Sequence, residues 1–192
     1  MTSREKMLHA IRHALPQPAD LPDISFQSNI LDPLDQFMLV LQSVGGEAQT
    51  VRAEEVATMV RSKFPEALRI VSTVQAYSDF AEIPEPDTDP HSFANVDVAV
   101  IKAQFGVAEN GAVWLTEADL GGHRVLPFIT QHLVIVLEEK NIVANMHDAY
   151  ARIDLDQTGF GLFLAGPSKT ADIEQSLVVG AHGARSLVVF LV

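Results

Sequence analysis

The stretch that decides the fold reads Phe160-Gly161-Leu162-Phe163-Leu164-Ala165, Gly166-Pro167-Ser168-Lys169-Thr170-Ala171-Asp172-Ile173-Glu174, then Gly180-Ala181-His182-Gly183 and Leu187-Val188-Val189-Phe190-Leu191-Val192. Two apolar runs bracket a polar, glycine-bounded loop. Runs this continuous, without polar alternation, are the pattern of strands covered on both faces. The Gly-Pro-Ser turn and the segment after it predict a short helix starting near Ala171. The expected order is strand, loop, helix, strand. In an open parallel sheet, ligands collect in loops at the carboxyl ends of strands, where backbone N–H groups and helix N-termini converge.

Working outward, apolar runs recur at residues 96–103, 112–116 and 133–137. Residues 145–153 read as helical, and Asn110-Gly111 suits a tight hairpin turn between 106 and 116. Strands mixed with helices in this order predict an α/β layered sandwich with a mostly parallel sheet. Further upstream, Asp32-Pro33 supplies an N-cap and an N1 proline. Leu34, Phe37, Met38 and Leu41 form an apolar stripe, and Gly45-Gly46 a stop. Residues 48–51 and 68–72 read as strands, and 53–63 as a helix with Val56, Val60 and Phe64 inward. Residues 83–90, acidic and proline-rich, read as a surface loop. Residues 3–14 form an amphipathic helix, with Ser3 as N-cap and Met7, Leu8, Ile11 and Leu15 on one face, suited to dock on the body or a neighbouring subunit. Pro16, Pro18 and Pro22 end it and open an extended arm. The division is therefore 1–31, helix and arm, and 32–192, one α/β domain without internal repeats.

At 192 residues the chain can bury on the order of 70% of the surface it exposes when unfolded. Its 13 basic against 25 acidic residues give a net charge of -12. Nucleic acid and anionic membranes, which need a basic footprint, are poor partners for it. Cysteine is absent, so thiolate catalysis, disulfides and thiolate-ligated zinc or iron–sulfur clusters are excluded within this chain. The first fifteen residues lack the apolar core of a signal peptide, and no apolar run approaches the roughly 20 residues of a membrane span. The expectation is a cytoplasmic protein.

Four loops carry the polar groups a strand-end site would use. Glu109-Asn110-Gly111 is either a simple hairpin turn or a ligand loop. His123 and Arg124 follow two glycines, and Arg124 is either a clamp on a carboxylate or phosphate, or one half of a surface ion pair. Ser168, Lys169 and Thr170, with the N–H groups of a following helix, either cradle an anion or cap that helix. His182, between glycines, is a ligand contact or a structural histidine. His91, His132 and His147 form no pair at ligand spacing and no H-E-x-x-H occurs, so no metal site is expected. G-x-S-x-G and G-x-G-x-x-G are also absent.

Taken together, Gly106-Val107-Ala108-Glu109-Asn110-Gly111, Arg124 with Pro127, His132-Leu133-Val134-Ile135-Val136, the nine residues from Gly166 to Glu174 and Gly180-Ala181-His182-Gly183 resemble the lactate-utilisation (LUD) domain family, and within it the small cysteine-free C-subunit type. The resemblance is specific over about residues 95–192 and looser back to the first helix. Ala184 departs from the proline usual after His-Gly, and Asn110 from a common threonine. The resemblance implies a fold similar to NagB/RpiA/CoA-transferase-like domains. It also implies an accessory or binding role in oxidising L-lactate to pyruvate, with iron–sulfur clusters only on partner subunits and no cofactor in this chain.

In that role Arg124, Lys169 and His182 would hold a small carboxylate or a partner. Glu109-Asn110-Gly111 also looks like the Glu-Asn-Gly of class I CoA transferases, which would make Glu109 a nucleophile toward acyl-CoA; such a glutamate needs a desolvated strand end. A small-carboxylate or sugar-phosphate binding protein is a third reading, and a homo-oligomer is compatible with all three. Chemistry at one site requires Glu109, Arg124 and His182 to meet the 166–170 loop at one sheet edge.

Overall fold

The structure, a computed structural model, describes residues 2–16, 19–20, 30, 32–171 and 177–192. At its centre lies a sheet of five strands: β1 (Glu47–Thr50), β2 (Ile70–Ser72), β3 (Val98–Lys102), β6 (His132–Leu137) and β11 (Ser186–Leu191). Their order is β1-β11-β6-β3-β2 and every pairing is parallel. Apolar residues on alternate faces explain why the continuous runs are needed. In β11, Leu187, Val189 and Leu191 enter one cluster while Val188 and Phe190 enter another. All five are at most 1% exposed. Burying one such side chain contributes about 1.5–3 kcal/mol, so a polar substitution on either face of β11 has no cheap side.

One face is covered by α3 (Val56–Lys63), whose Val56 and Val60 pack on Val98, Val100, Val134 and Val188. The other is covered by α2 (Pro33–Ser43), through the fully buried Phe37 and Leu41, and by a second sheet. This sheet, ordered β7-β4-β5-β8, joins β4 (Phe105–Val107), β5 (Ala112–Thr116), β7 (Ile142–Val143) and β8 (Gly161–Leu164). Its β4–β5 hairpin is antiparallel, as Asn110-Gly111 predicts, and β8 joins β5 antiparallel. A third cluster, Phe105, Val107, Trp114, Val143 and Ala149, lies on the second sheet beneath α5 (Met146–Ala151). Short helices α4 (Leu126–Ile129) and α6 (Leu155–Thr158) complete the connections.

The sequence reading holds for α2, whose Asp32 side chain accepts from the Leu34 and Asp35 amides. Elsewhere it needs correction. Thr2, not Ser3, caps α1 (Ser3–Ala14), in a capping box with Glu5, because Thr2 keeps extended backbone while Ser3 is already helical. Every residue of α1 is exposed, so its apolar face is not docked on the body. Leu68 is 97% exposed and precedes β2. The β8 run is half-buried at the edge of the second sheet rather than enclosed in the parallel one. Ala171 closes a strand where a helix start was expected: β9 (Lys169–Ala171) pairs antiparallel with β10 (Leu177–Val179). Asp172, Ile173 and Glu174, like Pro18, Pro22 and most of the arm, lie outside the described residues.

Two glycines with positive φ separate backbone strain from close packing. Gly111 (φ +66) approaches α2 so closely that a Cβ would lie 2.8 Å from the Leu41 amide nitrogen, whereas Gly122 (φ +83) has nothing within 4 Å. Gly122→Ala should cost roughly 1 kcal/mol, the left-handed backbone penalty alone. Gly111→Ala should cost several kcal/mol in urea denaturation, since backbone atoms of α2 must move.

Candidate functional site

Of the four sequence-predicted loops, the first two have local partners of their own, and the third and fourth pack on each other. Glu109 is exposed at the end of β4, and its Oε2 accepts from the Met146 amide at 2.8 Å. Asn145 accepts from the Asp148 amide at 2.9 Å, so the two side chains share the open donors of the first turn of α5. Asn110 Oδ1 accepts from the Ala112 amide, the local bond of a tight turn. Gly111 makes the close approach to α2. This is the hairpin reading of the loop, and the desolvated position a nucleophilic glutamate requires is not present.

Arg124 donates from Nε to Glu117 Oε2 at 2.6 Å and lies over the Phe160 ring, 4.5 Å from its centroid. The surface-ion-pair reading describes it. His123 is buried, edge-on to Phe93 with centroids 5.2 Å apart. Both line a groove of about 580 Å³ under the 86–90 loop.

The third and fourth loops do meet. The Ser168 amide donates to the Ala184 carbonyl at 2.8 Å, and the Gly180 amide to the Ser168 carbonyl at 2.9 Å. Gly183 packs so tightly on Ser168 that a Cβ there would lie 2.8 Å from the serine Cβ. Lys169 and Thr170 belong to β9 and do not open a helix. Lys169 donates to the Val44 carbonyl past the end of α2, and Thr170 Oγ1 to the Val178 carbonyl across the hairpin. His182 is exposed. No hydrogen bond or ion pair among the described residues joins any two of Glu109, Arg124, Lys169 and His182; the first three bond instead to Met146, Glu117 and Val44. The 180–185 loop also precedes β11, at the amino edge of the sheet, opposite to the expected edge.

That edge holds a feature the sequence reading missed. A cavity of about 440 Å³ opens between residues 63–67, at and just past the end of α3, and the starts of β3, β6 and β11. The backbone register builds it: Val98, His132 and Ser186 lie in one row across three strands. His132 Nδ1 is 2.8 Å from Ser186 Oγ, and its ring stacks on Phe64 at 4.7 Å. Asp97 Oδ2 accepts from the Leu68 and Arg69 amides at 2.8 and 2.9 Å, while its carbonyl accepts from the His132 amide at 2.8 Å. The Arg185 amide donates to the Gln131 carbonyl at 2.8 Å. The signal available in the sequence was positional: Asp97, Gln131-His132 and Arg185 each stand where a parallel strand starts.

Electrostatics separate the two edges. At the carboxyl edge, hydrogen bonds from Lys102 and then Lys140 hold the Glu138 carboxyl down at about 2, so charge there is matched internally. At the amino edge, Lys63 is paired with Glu47 at 2.5 Å. The Arg185 side chain makes no hydrogen bond or ion pair among the described residues. Among those residues no group of three or more His, Asp or Glu could hold a metal ion, and no helix is long and apolar enough to cross a membrane.

The sequence profile of the LUD domain matches residues 80–192. The chain belongs to the LUD domain family. It is similar to "Lactate utilization protein C" of Shouchella clausii, 36% identical over 93 residues, which are 45% of this chain and 40% of that one. It also matches the protein of the same name from Oceanobacillus iheyensis, 29% identical over 127 residues, 57% of this chain and 52% of that one. The matched stretches thus span about two fifths to one half of these relatives. Among solved structures, the crystal structure of a DUF162 family protein from Deinococcus radiodurans superposes with a TM-score of 0.65 at 18% identity, covering 83% of this chain and 95% of that chain. That likeness supports the mixed α/β fold with a mostly parallel central sheet.

Burial first, and then the charge of Arg185, hold the His132 imidazole below its ordinary value of 6.5, with Asp97 acting the other way. The unfolded chain takes up this proton more readily than the folded one, so stability falls as pH drops through 6.5. Denaturant titrations from about pH 8 to about pH 5 should show that decline, and His132→Gln should flatten it. An identical pH slope in the variant would assign the decline to other groups.

Proposed function

We propose that this chain serves lactate utilization as an accessory or binding component, with the redox centres on partner subunits. Oxidising L-lactate to pyruvate removes an electron pair and its protons, which an acceptor must take. The observation that carries the reading is the absence of cysteine from a LUD family chain. A thiolate-ligated iron–sulfur cluster does not fit the residues present. Relatives named for lactate utilization support the pathway. The placement of Glu109, exposed and bonded to the first amide of α5, supports binding over acyl transfer by this side chain.

Purified from its own host, the protein should bring with it cysteine-bearing subunits whose visible absorption reports iron–sulfur clusters. A homo-oligomer that oxidises L-lactate alone would overturn the reading. Incubated with a series of acyl-CoAs, wild-type protein and Glu109→Gln should show the same mass. A covalent adduct that the substitution abolishes would establish the transferase chemistry instead.

A further inference from the structure

We infer that the amino-edge cavity is a binding site for a small organic monocarboxylate, held by the Arg185 guanidinium and the His132 imidazole against a wall formed by Phe64, Pro65 and Ala67. Neither residue belongs to the groups the sequence singled out for ligand binding. The site lies at the opposite sheet edge from the one where parallel sheets usually collect ligands.

Three observations carry the assignment. The first is size and lining: about 440 Å³ is within the range of small-molecule pockets, and an apolar wall facing a few convergent polar groups is their usual make-up. The second is the charge inventory. Lys63 and Arg185 face Glu66 and Asp97 around the cavity. Lys63 is committed to Glu47, and Asp97 to two backbone amides. Among the described residues Arg185 therefore remains as the lining cation whose N–H donors meet no partner, a fork that matches a carboxylate with two parallel bonds. With two cations and two carboxylates around it the cavity is neutral in sum, which penalises a phosphate dianion more than a single carboxylate held by the Arg185 fork.

The third observation is the fixed histidine. Ser186 occupies Nδ1 of His132 and Phe64 packs on the ring, which leaves Nε2 as the remaining hydrogen-bonding atom. Burial and the Arg185 charge favour its neutral form, which can donate to a keto oxygen or accept from a hydroxyl, depending on the tautomer. Both groups are anchored by backbone bonds at the strand starts: the Arg185 and His132 amides donate to Gln131 and Asp97 carbonyls. Arginine, histidine and an apolar wall together suit a short acid bearing a hydroxyl or keto group beside its carboxylate.

The choice of L-lactate and pyruvate as probes rests on the proposed function, whereas the site rests on its geometry. The full chain would be titrated by calorimetry with L-lactate, pyruvate, propionate and inorganic phosphate. Arg185→Gln and His132→Gln would be compared with wild type after circular dichroism confirms folding. Monocarboxylates should bind more tightly than phosphate, and Arg185→Gln should weaken all three by about tenfold or more, the loss of a charge-assisted contact. His132→Gln should weaken L-lactate and pyruvate while leaving propionate unchanged.

Carboxylate binding that survives Arg185→Gln, a preference for phosphate, or no binding by any of the four would overturn the assignment. Co-purification with cluster-bearing subunits in a protein that binds no carboxylate would overturn the site and leave the accessory role standing. Arg185-dependent binding in a protein without such partners would do the reverse.

Discussion

A parallel sheet that is apolar on both faces must be covered on both, and the rest of this structure follows from that requirement. Leu187 to Leu191 in β11, with their neighbours in β6 and β3, leave no face for water. One cover is the short helix α3, joined by Phe64, Tyr77 and Phe80 from the segments that follow it. The other is α2 together with a second sheet, lying so close that a Cβ on Gly106 of β4 would sit 2.8 Å from a Leu137 methyl carbon. Phe37 and Leu41 of α2 occupy the same layer. The second sheet then has an outer face of its own, and Phe105, Trp114 and Phe163 fill it under α5.

How much of this was legible in the sequence depended on whether a signal was local. Asp32-Pro33 and Asn110-Gly111 carry their structural meaning within four residues, and both read correctly. The runs in β3, β6 and β11 read correctly because burial on both faces leaves a continuous apolar string. The run at β8 is just as apolar, yet it sits at the edge of a mixed sheet; its partner β5 lies about fifty residues upstream, and periodicity holds no information about partners. The segment after Gly166-Pro167 failed for a related reason. Its hydroxyls and lysine look like a helix start, but the bonds that shape it come from Ala184, Gly180 and Val44, all distant in sequence.

The candidate site shows the same division. Glu109 and Arg124 were recognisable as reactive residue types, and the structure assigns each a local partner. Glu109 completes the first turn of α5, and Arg124 pairs with Glu117 over Phe160. Arg185 and Asp97 carried no motif, and His132 entered only as the first residue of an apolar strand run. They become neighbours only because three parallel strands start in register, so that the residue opening each strand stands beside its counterparts. A charged or polar residue placed there has its backbone fixed by the ladder while its side chain stands clear of the core.

The strand order has a consequence in time as well as in space. Among the described residues β1 pairs with β11 alone, about 140 positions later in the chain. During synthesis β1 and the apolar face of α2 therefore emerge long before the strand that receives them. Non-local parallel pairing is slow to form, because chain closure must precede the contacts that reward it. Until β11 arrives, β1 presents an unpaired edge and Phe37 and Leu41 lack their full cover, the type of surface that partly folded chains aggregate through or that chaperones shield.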